Sequence, residues 1–475
     1  MIVPAGPTPP STLSRHPWLV LAVCCMSVFL TGLDSTIVTI ALPTIGRSLH
    51  AGVSGLQWSV TGYTVTLASL LMTSGAVADR IGRRQMLQVG LALFVAGSWL
   101  CTLAPSLAWL VAARAVQGAG ASCMNPSALG IITSTITSPA RRSKAIGIWD
   151  AAYGLSMVIG PLAGAALTRL AGWRAVFDPG ITVGLAALAL TALVAPESRA
   201  PHKRRSDPAG QVLVTVLLAT LATAIIQAPG WGWLAPRTVT LAALAMVALA
   251  TLVRAEVRRP DPLIQLALFR RASFTGACLM GTCGIAALAG AGFLSSLYLQ
   301  DARSMSALHA ALAIWPMPAA MAACAPLAGI VIARRGSRIP AVAAGIALAA
   351  SSVALTRLTG TVCPAVLTTI AYALFGAGVG LLSPAITHGV MSGVPDDQAG
   401  LASGMNSSSR QLGQCLGVAV IGTVLASSLH GPSPSGYLDA ARTGWWVIAG
   451  CGLCVLLAGL ASAPRRSNEQ PGCPL

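Results

Sequence analysis

Charge is what this chain of 475 residues has least of: only 9% of it is Asp, Glu, Lys or Arg, and just 13 residues are acidic. A soluble globular chain averages roughly 25%, so no soluble class fits a sequence that is also 55% hydrophobic. Lysine is nearly missing as well, since every basic residue except Lys144 and Lys203 is an arginine. Cysteine is present but unpaired by pattern: Cys24, Cys25, Cys123, Cys324 and Cys415 lie inside apolar segments, where a thiol behaves as a small hydrophobe. No disulfide framework is expected. Cys451 and Cys454 form a C-x-x-C within a continuous apolar run that lacks a second ligand pair, which reads as packing and not as a metal or redox site. Also missing is any convergence of nucleophile, base and metal ligands at one depth, so an enzyme is not expected and no cofactor is called for. Only about six apolar residues precede Cys24, too few for the core of a signal peptide, and the run continues past it into what reads as an uncleaved first span.

What the chain does have is long apolar runs, with a mean hydropathy of +0.74. Fourteen are long enough to cross a hydrocarbon core of ~30 Å. The first runs from Trp18 to Ala41 and the fourth from Leu107 to Thr133. The seventh and eighth run from Gly210 to Ala228 and from Val239 to Val253, and the last from Trp445 to Ser462. Basic residues test that count, because loops on the cytoplasmic side of a membrane carry an excess of Lys and Arg. With the N-terminus inside, alternate connections and both termini hold 21 of the 30 basic residues and the other connections hold 7. Arg114 and Arg410 remain inside helices. Miscounting one helix would erase the asymmetry, so fourteen helices with both termini cytoplasmic are expected, in the plasma (inner) membrane. The net charge of +17 is then a matter of topology, scattered in short clusters instead of forming one basic surface. Lipid, and no nucleic acid, is the expected surrounding.

Asp34 is the residue this layout has to explain. A carboxylate near the centre of a spanning helix costs about 2.5 to 3.5 kcal/mol on insertion scales, and residues retained at that cost mark ion or solute pathways. Counted back from Pro43 as the outer helix end, at 1.5 Å per residue, Asp34 lies about 13 Å deep; Arg114, counted from Ser106, lies about 12 Å deep. The matching depths predict that the two meet inside the bundle. Asp34 would exchange protons between two states of a transporter driven by the proton motive force, with Arg114 or bound solute favouring its ionised form.

An internal repeat points the same way. Gly75-Ala76-Val77-Ala78-Asp79-Arg80-Ile81-Gly82-Arg83-Arg84 follows the second helix. Gly329-Ile330-Val331-Ile332-Ala333-Arg334-Arg335-Gly336-Ser337-Arg338 follows the tenth. The two coincide if the seventh and eighth helices are an insertion, dividing the chain into 1–196, a six-helix half, 197–272, a linker with two inserted helices, and 273–475, a second six-helix half. Halves related by an axis along the membrane normal are a transporter signature.

Several motifs, in order and over essentially the whole length, resemble the fourteen-helix drug:proton antiporter branch of the major facilitator superfamily. They are Leu33 to Pro43, Gly75 to Arg84, Arg114-Ala115-Val116-Gln117-Gly118-Ala119-Gly120, and Gly154 to Gly164 with Gly160-Pro161 at its centre. Trp58, Thr61 and Tyr63, then Tyr298-Leu299-Gln300, and Asn406 to Gly413 also match. The resemblance implies an all-α polytopic membrane protein with the major facilitator fold, built as two six-helix halves plus two inserted helices. It implies export of drugs, antibiotics or hydrophobic metabolites in exchange for protons by alternating access; a monomer is the expected unit, though the sequence leaves oligomeric state open. It assigns proton coupling to Asp34 and Arg114, and gating to Gly75, Asp79, Arg80, Gly82, Arg83 and Arg84. Gly154, Gly160, Pro161 and Gly164 fall in its antiporter motif, and Tyr63, Gln117, Asn406 and Arg410 in the solute cavity.

The residues carry physical expectations of their own. Asp79 can pair with Arg83 or face a neighbouring helix N-terminus, a contact able to latch the halves on the cytoplasmic side. The glycines and Pro161 of the fifth helix allow close backbone approach, expected against the opposite half. Arg410 suits either an interhelical clamp or solute contact. Asp150 is expected to pair with Arg141 or Arg142, or to be a second protonation site. Trp173 to Pro179 departs from the family's pattern through Asp178, and His309 and His388 could titrate near neutrality. With Asp34 the only firmly buried acid, an amphiphile that is neutral, anionic or singly cationic fits better than a multivalent cation. The alternative is a proton-coupled or passive facilitator importing a small metabolite.

Overall fold

The computed structural model describes residues 17–199, 207–259, 265–360, 364–392, 394, 399–428 and 434–461. Arg15, Lys203, Arg204, Arg205, Arg465 and Arg466, which entered the charge count, lie outside these. Among the described residues every regular element is a helix, as a backbone in lipid requires, since each N–H and C=O must find its partner within the segment.

The first six helices are α1 (Pro17–Leu49), α2 (Val53–Ile81), α3 (Arg83–Thr102), α4 (Leu107–Thr135), α5 (Pro139–Ala171) and α6 (Asp178–Val194), with a 3-10 turn over Trp173–Phe177 before α6. Next come α7 (Pro208–Trp231) and α8 (Pro236–Val257). The remainder are α9 (Ala272–Leu297), α10 (Ala307–Arg335), α11 (Arg338–Leu358), α12 (Ala365–Met391), α13 (Ala399–Ser428) and α14 (Pro434–Ala461). Among the described residues, thirteen of these helices are long and apolar enough to span a membrane. The fourteenth, α4, has 29 residues, long enough to span, but Arg114, Gln117 and a run of Gly and Ser lower its hydropathy.

Punctuation in the sequence sets the ends. Gly82, Gly172, Gly232 and Gly336 adopt positive φ just past α2, α5, α7 and α10, where glycine closes a helix without a Cβ clash. Prolines open α5, α7 and α8, where their missing N–H costs nothing. Proline also produced two departures from expectation. Pro43 lies inside α1, which runs on to Leu49, so the depth count from Pro43 started at the wrong place and Asp34 sits about 22 Å from the helix end at 1.5 Å per residue. Pro316 follows a break at Trp315 within α10.

Helices α1 to α6 pack mainly on one another, and α9 to α14 do the same. The α7–α8 pair leans on the seam, with α7 against both α2 and α13. There Ser54 and Thr423 donate to the carbonyls of Ile226 and Ile225. Arg259 pairs with Asp207 and lies 3.9 Å from Glu256, tying the two helices together at the arginine-rich end of the bundle.

Side-chain bonds between the two sets cluster at the opposite end. Gln57 of α2 donates to the carbonyls of Val418 and Ala419 in α13, at 3.3 and 2.7 Å. Ser296 of α9 donates to Thr39 O at 2.7 Å, and Gln300 to Ile40 O at 2.9 Å. On α5 toward the arginine-rich end, a Cβ added at Gly147 or Gly154 would meet nothing within 4 Å.

Candidate functional site

Asp34 and Arg114 meet at the middle of the first helix set, where they are 6% and 1% exposed. Arg114 Nη1 lies 2.7 Å from both carboxylate oxygens of Asp34 and 2.7 Å from Gln117 Oε1. Its Nε donates to Ser59 O at 3.0 Å, and the guanidinium stacks 4.4 Å above the Tyr63 ring. Gln117, one helical turn beyond Arg114, donates from Nε2 to Asp34 Oδ1 at 3.1 Å and to Ser98 Oγ at 2.8 Å. Four helices thus converge on one carboxylate: α1 supplies it, α4 the cation and amide, α2 the carbonyl and aromatic face, α3 the terminal hydroxyl. A buried charge is tolerable only when paired and hydrogen-bonded in this way.

Tyr63 and Gln117, expected to line a solute cavity, are buried within the charge cluster, and Gln117 borders the small cavity beside Asp34. The reason is helical phase: Gln117 follows Arg114 by three residues and therefore shares its face. Sequence reasoning missed Ser98, since a serine in an apolar helix usually bonds back to its own helix and carries no distinguishing signal, and it missed Ser59, which contributes only its main-chain carbonyl, a group every residue carries. Behind Asp34 lies a cavity of about 10 Å³ lined by Leu30, Ile37, Phe94 and Phe177, space for about one water.

The antiporter-motif glycines correct an expectation. A Cβ on Gly160 would strike Thr36 Oγ1, and one on Gly164 would sit 2.6 Å from both Ile37 O and Ile40 Cγ2. These residues pack on α1 within their own set, beside Asp34, and not on the opposite half. Spacing of i and i+4 puts both on one face, and that face meets α1. Gly154, six residues earlier, points elsewhere and meets open space; half-buried Pro161 lies within the helix.

The loop motif closes on its own set as well. Arg83 binds Asp79 Oδ1 through Nε and Nη2, at 3.1 and 2.9 Å, and donates to Gly130 O at 2.9 Å. Arg84 donates to Ala192 O at 2.5 Å and, through its backbone, to Glu197. Gly82 has φ 124° and no room for a Cβ against the Glu197 carboxylate. Gly75 approaches Pro126, and Arg80 closes α2. Asp79 and Arg83 therefore tie α2 to α4 in this conformation, and among the described residues they do not make the expected latch between halves.

In the second set, half-buried Arg410 donates to Ser383 Oγ of α12 at 3.1 Å, and buried Asn406, one turn earlier, finds no donor for its Oδ1 among the described residues. Across the interior, Asp150 and Tyr153 of α5 interact electrostatically with Arg410. Asp150 thus answers to the other helix set, and not to Arg141 or Arg142 as expected. His309 bonds Ser306 Oγ at the start of α10 and His388 is exposed. Arg174 stacks 4.3 Å over Trp173 and donates to Ala104 O, while Asp178 simply opens α6.

The profile of the Major Facilitator Superfamily matches residues 24–418. The chain is 35% identical to the tetracenomycin C resistance and export protein of Streptomyces glaucescens, over 91% of its own length and 80% of that protein's. It is 34% identical to the multidrug resistance protein Stp of Mycobacterium tuberculosis, over 88% and 77%, and 34% identical to the methylenomycin A resistance protein of Streptomyces coelicolor, over 88% and 89%. Among solved structures, a peptide transporter POT in complex with sulfate superposes with a TM-score of 0.67, over 95% of each chain, at 16% identity. That likeness concerns the fold alone.

Proposed function

The chain belongs to the major facilitator superfamily, and from that premise we propose that it exports small amphipathic molecules, antibiotics among them, in exchange for protons. Support for the cargo comes from relatives named for export of, or resistance to, tetracenomycin C, methylenomycin A and multiple drugs. Support for the coupling is a single observation: one carboxylate, buried between helices, whose charge Arg114 balances and to which Gln117 donates a hydrogen bond.

Alternating access then works as follows. With the arginine-rich end taken as cytoplasmic, the bonds of Gln57, Ser296 and Gln300 shut the periplasmic end while α5 borders open space toward the cytoplasm. Solute enters between the halves and meets Arg410, Asn406 and Asp150. Asp34 gives up its proton to the cytoplasm and is held by Arg114. Rocking of the halves parts the outer bonds, solute leaves, and a periplasmic proton returns to Asp34. Because Gly160 and Gly164 seat α5 directly on the turn of α1 that carries Asp34, a shift of α5 against the other half reaches the carboxylate through backbone contact. The working unit is a monomer in the inner membrane, with both termini in the cytoplasm.

Expression in a drug-sensitive host tests the reading. Export predicts reduced susceptibility to amphipathic antibiotics that a protonophore abolishes. Import by a facilitator predicts unchanged or increased susceptibility.

A further inference from the structure

At the closed end of the bundle, a cavity of about 410 Å³ lies between α1 and the start of α10. Its size falls within the range of small-molecule sites. Thr44 and Arg47 line it from the first helix set, and Gln300, Asp301, Ser304 and Ser306 from the second. Arg47 and Asp301 interact electrostatically across it, and Tyr437 of α14 adds a phenol near Asp301.

The local backbone is irregular where the cavity forms. α9 ends in a π-turn over Tyr298–Ala302, a geometry that recurs at functional sites, and Ser304 adopts φ 53°, a conformation non-glycine residues seldom hold without cause. The wide turn places Tyr298, Leu299 and Gln300 all in the interior. Asp301, the next residue, faces the cavity, and the Gln300 bond to Ile40 O forms part of its floor. A cation on one half and an anion on the other, separated by a space rimmed with hydroxyls, match a ligand that carries both charges.

We propose that this vestibule is a second ligand site, for a zwitterionic solute whose anionic group meets Arg47 and whose cationic group meets Asp301. The site rests on the export reading only for its place in the cycle, as the last contact before release. Since it spans both halves, its occupancy is linked to whether they are closed against each other at this end.

Equilibrium binding to the full chain in lipid nanodiscs tests the site without transport. The probes are norfloxacin, which carries a carboxylate and an ammonium, and its methyl ester, which lacks the carboxylate. The expected result is saturable norfloxacin binding that Arg47→Gln weakens by about tenfold or more, with ester binding unchanged. Asp301→Asn weakens both probes, and the exchanged pair, Arg47→Asp with Asp301→Arg, recovers most of the norfloxacin affinity. The proposal is overturned by absence of saturable binding, by single variants that bind as wild type does, or by equal losses for acid and ester in Arg47→Gln that the exchanged pair fails to repair. Loss of the susceptibility effect with binding intact would sink the export reading alone.

Discussion

Arg114 and Arg410 both lie within the apolar length of a helix, and they are held in opposite ways. Arg114 is enclosed, with Asp34, Gln117, the Ser59 carbonyl and the Tyr63 ring all in contact. Arg410 has Ser383 on one side and, on the other, half-exposed space that it shares with Asp150 across the halves. A cation whose partners are complete is suited to hold a neighbouring carboxylate that takes and releases a proton at a set place. A charge with unfilled capacity is suited to a visitor, as is the buried Asn406 Oδ1 beside it.

The largest expected effect follows from breaking the enclosed pair. Arg114→Ala strands Asp34 in the interior, at a cost of about 3 to 5 kcal/mol. It should lower the thermal midpoint of the detergent-solubilised protein sharply, and Arg114→Ala/Asp34→Asn should regain part of the loss. If the single and double variants melt alike, the pair is not the stabilising contact described.

Next is the seat of α5. Gly164→Leu drives a side chain into Ile37 and Ile40, and overpacking of this kind costs about 1 to 3 kcal/mol. Export should fall with it. Gly154→Ala, where a Cβ meets open space, should leave export near wild type and favour the helix slightly. Equal losses in the two variants would contradict the assignment of these glycines to α1.

Arg410→Ala sharpens the comparison from the other side. It should raise the apparent Michaelis constant for some solutes by about tenfold and spare others, while proton dependence is kept. A uniform loss of the maximal rate would instead place Arg410 in coupling. The smallest effect belongs to Arg84→Ala, which removes one contact to Ala192 O at the surface and should cost under about 1 kcal/mol by denaturation.

How much of this was legible beforehand depended on the physics behind each signal. The meeting of Asp34 with Arg114 could be read because a charge in lipid is rare and expensive, even though the depth count began at a proline that α1 passes through. Spacing put Gly160 and Gly164 on one face but carried no information about which helix that face meets. Gln57 and Gln300 escaped notice as closing contacts, since a polar residue near a helix end is ordinary and only the crossing geometry gives it a carbonyl to bind. The π-turn at Tyr298 has no local sequence signature at all. By contrast, the helix ends at Gly82, Gly172, Gly232 and Gly336 follow directly from the one residue that tolerates positive φ.

The most direct measurement is made on Asp34→Asn in everted membrane vesicles. Solute accumulation driven by a proton gradient is compared with solute-for-solute counterflow at equal pH on both sides. The account predicts that gradient-driven accumulation disappears while counterflow persists, because the halves still rock and only the exchangeable proton is gone. Accumulation at the wild-type level, still dependent on the gradient, would contradict it.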